Sequence, residues 1–336
     1  MSKVVISGYY GFKNFGDEAI LTVLVNHLKQ LNCDITIFSS NPFYTINKHK
    51  VNSVRSFDIL KVIDTLKKSD CLISGGGSLL QDATSVKSLL YYSFIIFLAL
   101  IFKKKVIIFA QGIGPLNSFF SKAIVLNLLQ FCTLVTVRDE NSKKLMDESH
   151  INSMQVPDPI FSLQIKNFEK TKTVGIQLRE FQTVTDEFLN ELANFVINSY
   201  AERNIELISL HDTIDVPVLE KFKSILENKC KNINVDIIKN LSETEIAAKL
   251  ATLDTLIAMR FHAVLIALKT GVKTLAINYD IKVQKLAEDF GIPSISLSDF
   301  TNYQSQFDKL KNEETSNNIE ISSSKVFDWT EVDKII

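Results

Sequence analysis

The segment Gly8–Leu21, GYYGFKNFGDEAIL, sets two flexible glycines and an adjacent carboxylate pair at the start of an apolar-periodic run. That combination suits proton transfer beside a bound anion. Gly11 and Gly16 permit tight backbone paths, and a helix start offers N–H groups and a partial positive charge. Asp17 or Glu18 can then handle the proton. The same two acids also suit a first helical turn through the dipole alone, with no chemistry implied. The spacing is neither a Gly-x-x-x-x-Gly-Lys-Ser/Thr phosphate loop nor a Gly-x-Gly-x-x-Gly fingerprint, since acids follow Gly16 where Lys and Ser/Thr would be required.

A second group is Met259-Arg260-Phe261-His262-Ala263. Arg260 supplies fixed cationic donors and His262 exchanges a proton near neutral pH; a plain histidine cap is the alternative. Arg138, followed by Asp139, fits an anion clamp or a surface pair with Asp139 or Glu140. Lys282, in Tyr279-Asp280-Ile281-Lys282, adds a cation that serves an anionic ligand or simply solvates the surface. Arg179 and His211 each follow a strand-like run, where they orient an acceptor or close a domain interface. Ser74-Gly75-Gly76-Gly77-Ser78 and Gln111-Gly112-Ile113-Gly114-Pro115 let backbone approach a ligand, although ordinary turns select glycine as well. Five histidines without an HExxH pattern and four cysteines without CxxC favour a metal-free site and reduced, buried thiols.

Positioning these groups falls to alternating elements. Strands are expected at Val4–Ser7, Asp34–Phe38, Cys71–Ser74, Val106–Phe109 and Leu134–Val137, with helices over 18–31, 59–67 and 122–131 between them. The pattern restarts at Thr173–Gln177, then Glu206–Leu210, Val235–Ile237, Thr255–Ala258 and Thr274–Ile277, with helices over 187–202, 218–228, 242–251, 262–269 and 283–290. Short apolar strands linked by helices imply parallel sheets covered on both faces, with ligands at the strands' carboxyl ends. The expected division is a first α/β domain over 1–165, a second over 172–310, and a tail over 311–336 carrying Trp329 that packs back on the first domain.

At 336 residues, 46% apolar and 22% charged, the chain has room for two cores. With 37 basic and 38 acidic residues its net charge is -1, so no long-range positive field points to nucleic acid. Met1 to Lys3 lead straight into a strand-like run without a secretory pattern, which implies a cytoplasmic location. Leu89–Phe102, LLYYSFIIFLALIF, is too short to span a bilayer of roughly 20 helical residues. It fits either a buried helix or a surface touching membrane or a partner.

The ordered set GYYGFKNFGDEAIL, SGGGSLLQD (Ser74–Asp82), QGIGP (Gln111–Pro115), VRDENS (Val137–Ser142), MRFHAVLIALKTGV (Met259–Val272) and NYDIKV (Asn278–Val283) resembles the polysaccharide pyruvyl transferase family, especially its bacterial CsaB-type cell-wall members. Lys13 stands where many relatives carry a small residue, and Ile281 where a proline is often found. The resemblance implies an α/β fold of two Rossmann-like domains with a central cleft, similar to GT-B glycosyltransferases. It implies ketal-forming transfer of pyruvate from phosphoenolpyruvate as donor substrate, without a cofactor. The implied acceptor is a lipid-linked glycan precursor containing N-acetylmannosamine, in a pathway that anchors S-layer proteins, with work at the inner face of the plasma membrane. It also places Asp17, Arg138, Arg260, His262 and Lys282 at positions tied to catalysis or donor binding. A GT-B-like nucleotide-sugar glycosyltransferase and a noncatalytic glycan-binding protein are the competing readings.

Overall fold

Short apolar runs such as Val4–Ser7, Cys71–Ser74 and Thr255–Ala258 fold as parallel strands because they are buried on both sides. The computed structural model describes residues 1–165, 168–312 and 326–336. The chain divides into two units, Met1–Leu163 with Ser323–Ile336, and Gln164–Ser322.

In the first unit, β1 (Lys3–Ser7), α1 (Phe15–Gln30), β2 (Asp34–Ser39), α2 (Pro42–His49), β3 (Asn52–Arg55), α3 (Ile59–Lys68) and β4 (Cys71–Ser74) come first. Then follow α4 (Val86–Ile101), β5 (Lys105–Gln111), α5 (Phe119–Leu129), β6 (Leu134–Val137), α6 (Glu140–Glu148) and β7 (Met154–Gln155). The sheet order is β3-β2-β1-β4-β5-β6-β7, parallel throughout. Winding reverses between β1 and β4, which opens a crevice at their carboxyl ends.

The second unit repeats the scheme with β8 (Thr173–Gln177), α7 (Asp186–Tyr200), β9 (Asn204–Ile208), α8 (Asp212–Lys229), β10 (Asn234–Ile238), α9 (Glu243–Thr252) and β11 (Thr255–Ala258). It ends in α10 (Phe261–Lys269), β12 (Lys273–Asn278), α11 (Ile281–Phe290), β13 (Ser294–Ser296) and α12 (Tyr303–Asn312). Its order, β10-β9-β8-β11-β12-β13, is also parallel and reverses between β8 and β11.

Local chemistry sets the helix starts. Asn14 accepts from the N–H of Gly16 at 3.1 Å, so α1 begins at Phe15 rather than at Glu18. Ser242 and Glu245 form a capping box at α9. Helix α8 starts at Asp212, earlier than the expected Val218, and carries Pro217 inside it. The extra turn is held by Asp215, whose Oδ2 accepts from the N–H groups of Leu210 at 2.9 Å and His211 at 3.1 Å.

Of the 311–336 tail, residues 313–325 lie outside the described residues. Trp329 stacks on His27 at 3.8 Å between ring centroids and on Phe109 at 5.4 Å. Phe327 lies 4.8 Å from Phe109, and Val332 is buried with it in the core under α1. A short helix, α13 (Thr330–Asp333), closes the chain, with His27 bonded to Asp333 at 2.7 Å.

Helix α4 is two-sided. Leu89, Tyr92, Ile95, Ile96 and Ala99 are buried in the core shared with β4 and β5, while Leu90, Phe94, Phe97 and Ile101 are exposed. Among the described residues, no helix is long and apolar enough to cross a membrane.

Candidate active site

In the first unit the carboxyl ends of β1, β4, β5 and β6 gather one set of predicted residues. The two acids of the first loop separate by role. Glu18 is 1% exposed, accepts from the N–H of Gly11 at 2.8 Å and pairs with Lys48 at 3.1 Å, so it braces the loop. Asp17, one residue earlier and half-buried, turns toward β4, where its Oδ1 lies against Gly77. Asp17 also sits among phenols. Burial first, then the Asp17 charge, raises the pKa of Tyr9, Tyr10 and Tyr92.

The glycines do different jobs. Gly11 has φ +81 and, with a Cβ, would meet Ser39 at 2.3 Å. A Cβ on Gly75 would collide with the Tyr10 hydroxyl at 1.8 Å, and one on Gly76 with Ile20 at 2.8 Å, so these two admit buried side chains. Gly77, with φ +100, passes beside Asp17. Gly16 lies in the first turn of α1. Gln111 is fully buried and donates from Nε2 to Ser74 and Gly75, tying β5 to the end of β4. The N–H of Gly112 donates to the carbonyl of Gly77 at 2.8 Å, and that of Gly114 to Leu80 at 2.8 Å.

Arg138 leaves β6 into the same edge. Its Nη1 bonds Asp158 at 2.8 Å, with both side chains nearly buried, and its Nη2 donates to Ser78 at 3.3 Å. Asp139, by contrast, caps α6 by accepting from the N–H of Ser142. In place of the alternative surface pair with Asp139, Arg138 makes an inward pair with Asp158, which lies 20 residues further along.

The second set belongs to the second unit and centres on Asp215, which is fully buried. Arg260, just past β11, wraps Asp215 with Nε at 2.9 and 3.1 Å and with Nη2 at 2.5 Å. Its own N–H donates to the Oε1 of Gln177, at the end of β8, at 2.8 Å. His211, at the end of the loop after β9, donates its N–H to the same Asp215. Burial first and the Arg260 guanidinium next lower the pKa of His211. Arg179, past β8, donates to the Tyr279 hydroxyl at 3.2 Å and lies over the rings of Tyr279 and Phe181.

Arg260 is the N-cap residue of α10, and its own side chain makes no cap bond but turns to Asp215 instead. His262 stands in its first turn, half-buried, with its ring edge-on to Phe261 at 5.2 Å. Lys282 occupies the matching place on α11, past β12, where Asp280 accepts from its N–H at 2.8 Å. Arg260 and Arg179 thus flank the β8–β11 reversal, and a helix N-terminus with cations beside it is an anion-binding arrangement.

Asp215 and Asp158 are the partners of the predicted arginines that linear reading misses. Asp158-Pro159 is visible as a cap signature, and Asp158 does accept from the N–H of Ile160. Nothing in the spacing marks Asp215, 45 residues before Arg260. Among the described residues, no group of three His, Cys, Asp or Glu side chains comes together as a metal site.

Comparison with known proteins gives the fold and the family. The chain is 22% identical to the amylovoran biosynthesis protein AmsJ of Erwinia amylovora, over 88% of this chain and 87% of that one. The UDP-GlcNAc 2-epimerase of Methanocaldococcus jannaschii superposes with a TM-score of 0.66 at 13% identity, covering 94% of each chain. Anabaena HepE, solved with UDP-glucose, does so with a TM-score of 0.61 at 12% identity, covering 100% of this chain and 98% of that one. These likenesses give the fold, two Rossmann-like α/β domains of GT-B type. The sequence pattern of polysaccharide pyruvyl transferases matches residues 14–281, taking in Asp17, Arg138, Arg260 and His262 and stopping one residue short of Lys282. Because that match runs through most of the chain, the protein belongs to the polysaccharide pyruvyl transferase family.

Proposed function

We propose that the protein transfers the pyruvyl group of phosphoenolpyruvate to two hydroxyls of a sugar in a cell-wall glycan precursor, closing a cyclic ketal. The acceptor is a lipid-linked glycan containing N-acetylmannosamine, as in CsaB-type enzymes. The reading is supported by the family match and by the biosynthetic role named for the Erwinia relative. The observation that carries it is the turn Arg260-Phe261-His262, which joins a buttressed guanidinium, a helix start and an imidazole within three residues.

The roles follow from chemistry. Arg260, Lys282 and Arg138 neutralise the donor's phosphate and carboxylate. His262 gives a proton to the methylene carbon, which leaves the neighbouring carbon electron-poor. A sugar hydroxyl adds there and passes its proton to Asp17. Phosphate then departs with the proton held by Asp17, the second hydroxyl adds at the same carbon, and its proton goes to His262, which restores both groups. One donor and one diol yield one ketal and one inorganic phosphate. No cofactor enters the scheme.

The test is mass-resolved product analysis with phosphoenolpyruvate and a lipid-linked disaccharide containing N-acetylmannosamine. A product heavier by about 70 Da that vanishes with His262→Ala is the expected result. Likeness to HepE with UDP-glucose favours a second reading, nucleotide-sugar glycosyl transfer. Release of UDP in place of phosphate would establish that one. Donor-independent glycan binding with neither product, across a panel of sugars, would leave a binding protein.

A further inference from the structure

Helix α4 buries one face in the core of the first unit and turns a second apolar face outward. Leu90, Phe94, Phe97 and Ile101 are 39% to 55% exposed, and no charged residue occurs between Ser88 and Phe102. A helix that packs only on its own domain carries polar groups there. The outer apolar surface continues onto α3 and α5, the helices packed on either side of α4.

The pattern is sharpest at the helix starts. In a parallel sheet, a helix that follows a strand begins at the strands' carboxyl edge, so the first turns of α3, α4 and α5 share one edge. Phe57 and Leu60 are 66% and 81% exposed beside Lys61 at the start of α3. Val86 and Leu90 bracket the exposed Lys87 at the start of α4. Phe119 and Phe120, 81% and 76% exposed, precede the exposed Lys122 at the start of α5.

No acid occupies any of these three first turns, although helix starts favour acids. The two nearby carboxylates are engaged. Asp58 caps α3 and pairs with Lys61, and Asp82 accepts from the N–H groups of Asn117 and Ser118. What remains is an apolar edge studded with lysines.

We propose that this edge of the first unit rests on an anionic lipid bilayer. Phe57, Leu60, Phe119 and Phe120 enter the headgroup layer, while Lys87 and Lys122 reach lipid phosphates. Charge decides between occupants: a second copy would set lysines against lysines, whereas anionic lipid complements them. The contact lies in the membrane plane, since no described helix is long enough to cross. It runs along the sheet edge that also carries Asp17, Gly77 and Arg138, which suits an acceptor held by a lipid anchor. The inference stands on exposed surface and does not depend on the donor or the sugar.

Flotation of the full chain with vesicles tests it. The wild type is expected to float with mixed phosphatidylglycerol–phosphatidylcholine vesicles. It should bind at least about tenfold less to phosphatidylcholine alone, as should F119S/F120S and K87E/K122E on the mixed vesicles. Circular dichroism and turnover of a soluble acceptor confirm that the variants fold. Wild-type protein that stays with the unbound fraction would overturn the proposal, as would variants that float unchanged. Light scattering supplies the third way to lose it: a dimer that F119S/F120S converts to monomer assigns the face to a second copy.

Discussion

Asp215 holds Arg260 along one edge only, through Nε and Nη2, while Gln177 takes the Arg260 backbone N–H. The guanidinium is thereby aimed without being used up, because the Nη1 side takes no part in the pair. Replacing Asp215 by Ala strands a cation whose side chain is only 12% exposed, and is expected to destabilise the fold by roughly 3–5 kcal/mol. Asp215→Asn keeps the shape and loses less. Its expected signature is a rise in KM for phosphoenolpyruvate of about tenfold or more with the chain still folded. An unchanged KM alongside a large fall in Tm would reduce the pair to a strut.

Arg138 forks between Asp158 and Ser78, a geometry that a point charge does not reproduce. Arg138→Lys preserves the charge and loses the fork. A fall in kcat/KM on the order of 10²-fold, about 2–3 kcal/mol of transition-state stabilisation, is expected in steady-state assays. A lysine variant as active as the wild type would show that only a point charge is needed there.

Gly77 combines φ +100 with an Asp17 oxygen 2.5 Å from where a Cβ would stand. Gly77→Ala adds strain of about 1–2 kcal/mol and pushes Asp17 off its position. Activity should therefore fall much further than the modest loss in urea-melt stability. If the two fall in proportion, Asp17 is not positioned by this contact.

His49 offers a pH test. Its imidazole is buried, and burial first, then Lys48 and Lys29, lowers its pKa to about 3. The unfolded chain takes up this proton near pH 6.5, but the folded chain does not. Stability is thus complete above pH 6.5 and is lost as pH falls through the window from there toward 3. Below pH 6 the wild type should lose about 1.4 kcal/mol per pH unit more than His49→Gln, read by urea titration at a series of pH values. Parallel slopes for the two proteins would contradict a neutral buried His49.

The strands read well from sequence where they are buried on both faces, as at Val4–Ser7 and Cys71–Ser74. A continuous apolar run then has no other place to go. β3 escaped, because Asn52–Arg55 is a half-exposed edge strand with hardly any apolar signal. α2 escaped as well: its eight residues bury only Thr45 and His49. At the site, the cations at strand exits were legible as residue types in a pattern. Their counterions were not, since Asp215 and Asp158 meet Arg260 and Arg138 only after the sheets have wound. Glu18 and Asp17 could not be told apart in sequence either. One residue of helical rotation sends the first toward Lys48 and the second toward Gly77.

The ring stack of Trp329 on His27 and Phe109 carries a consequence for biogenesis. On the ribosome, residues 1–163 emerge long before Phe327 and Trp329, and all of 164–322 must be made in between. The first unit therefore waits with part of its core uncovered while the second has all the chain it needs to fold. A nascent chain stalled before Phe327 should expose that surface to chaperones, and release of the last residues should close it.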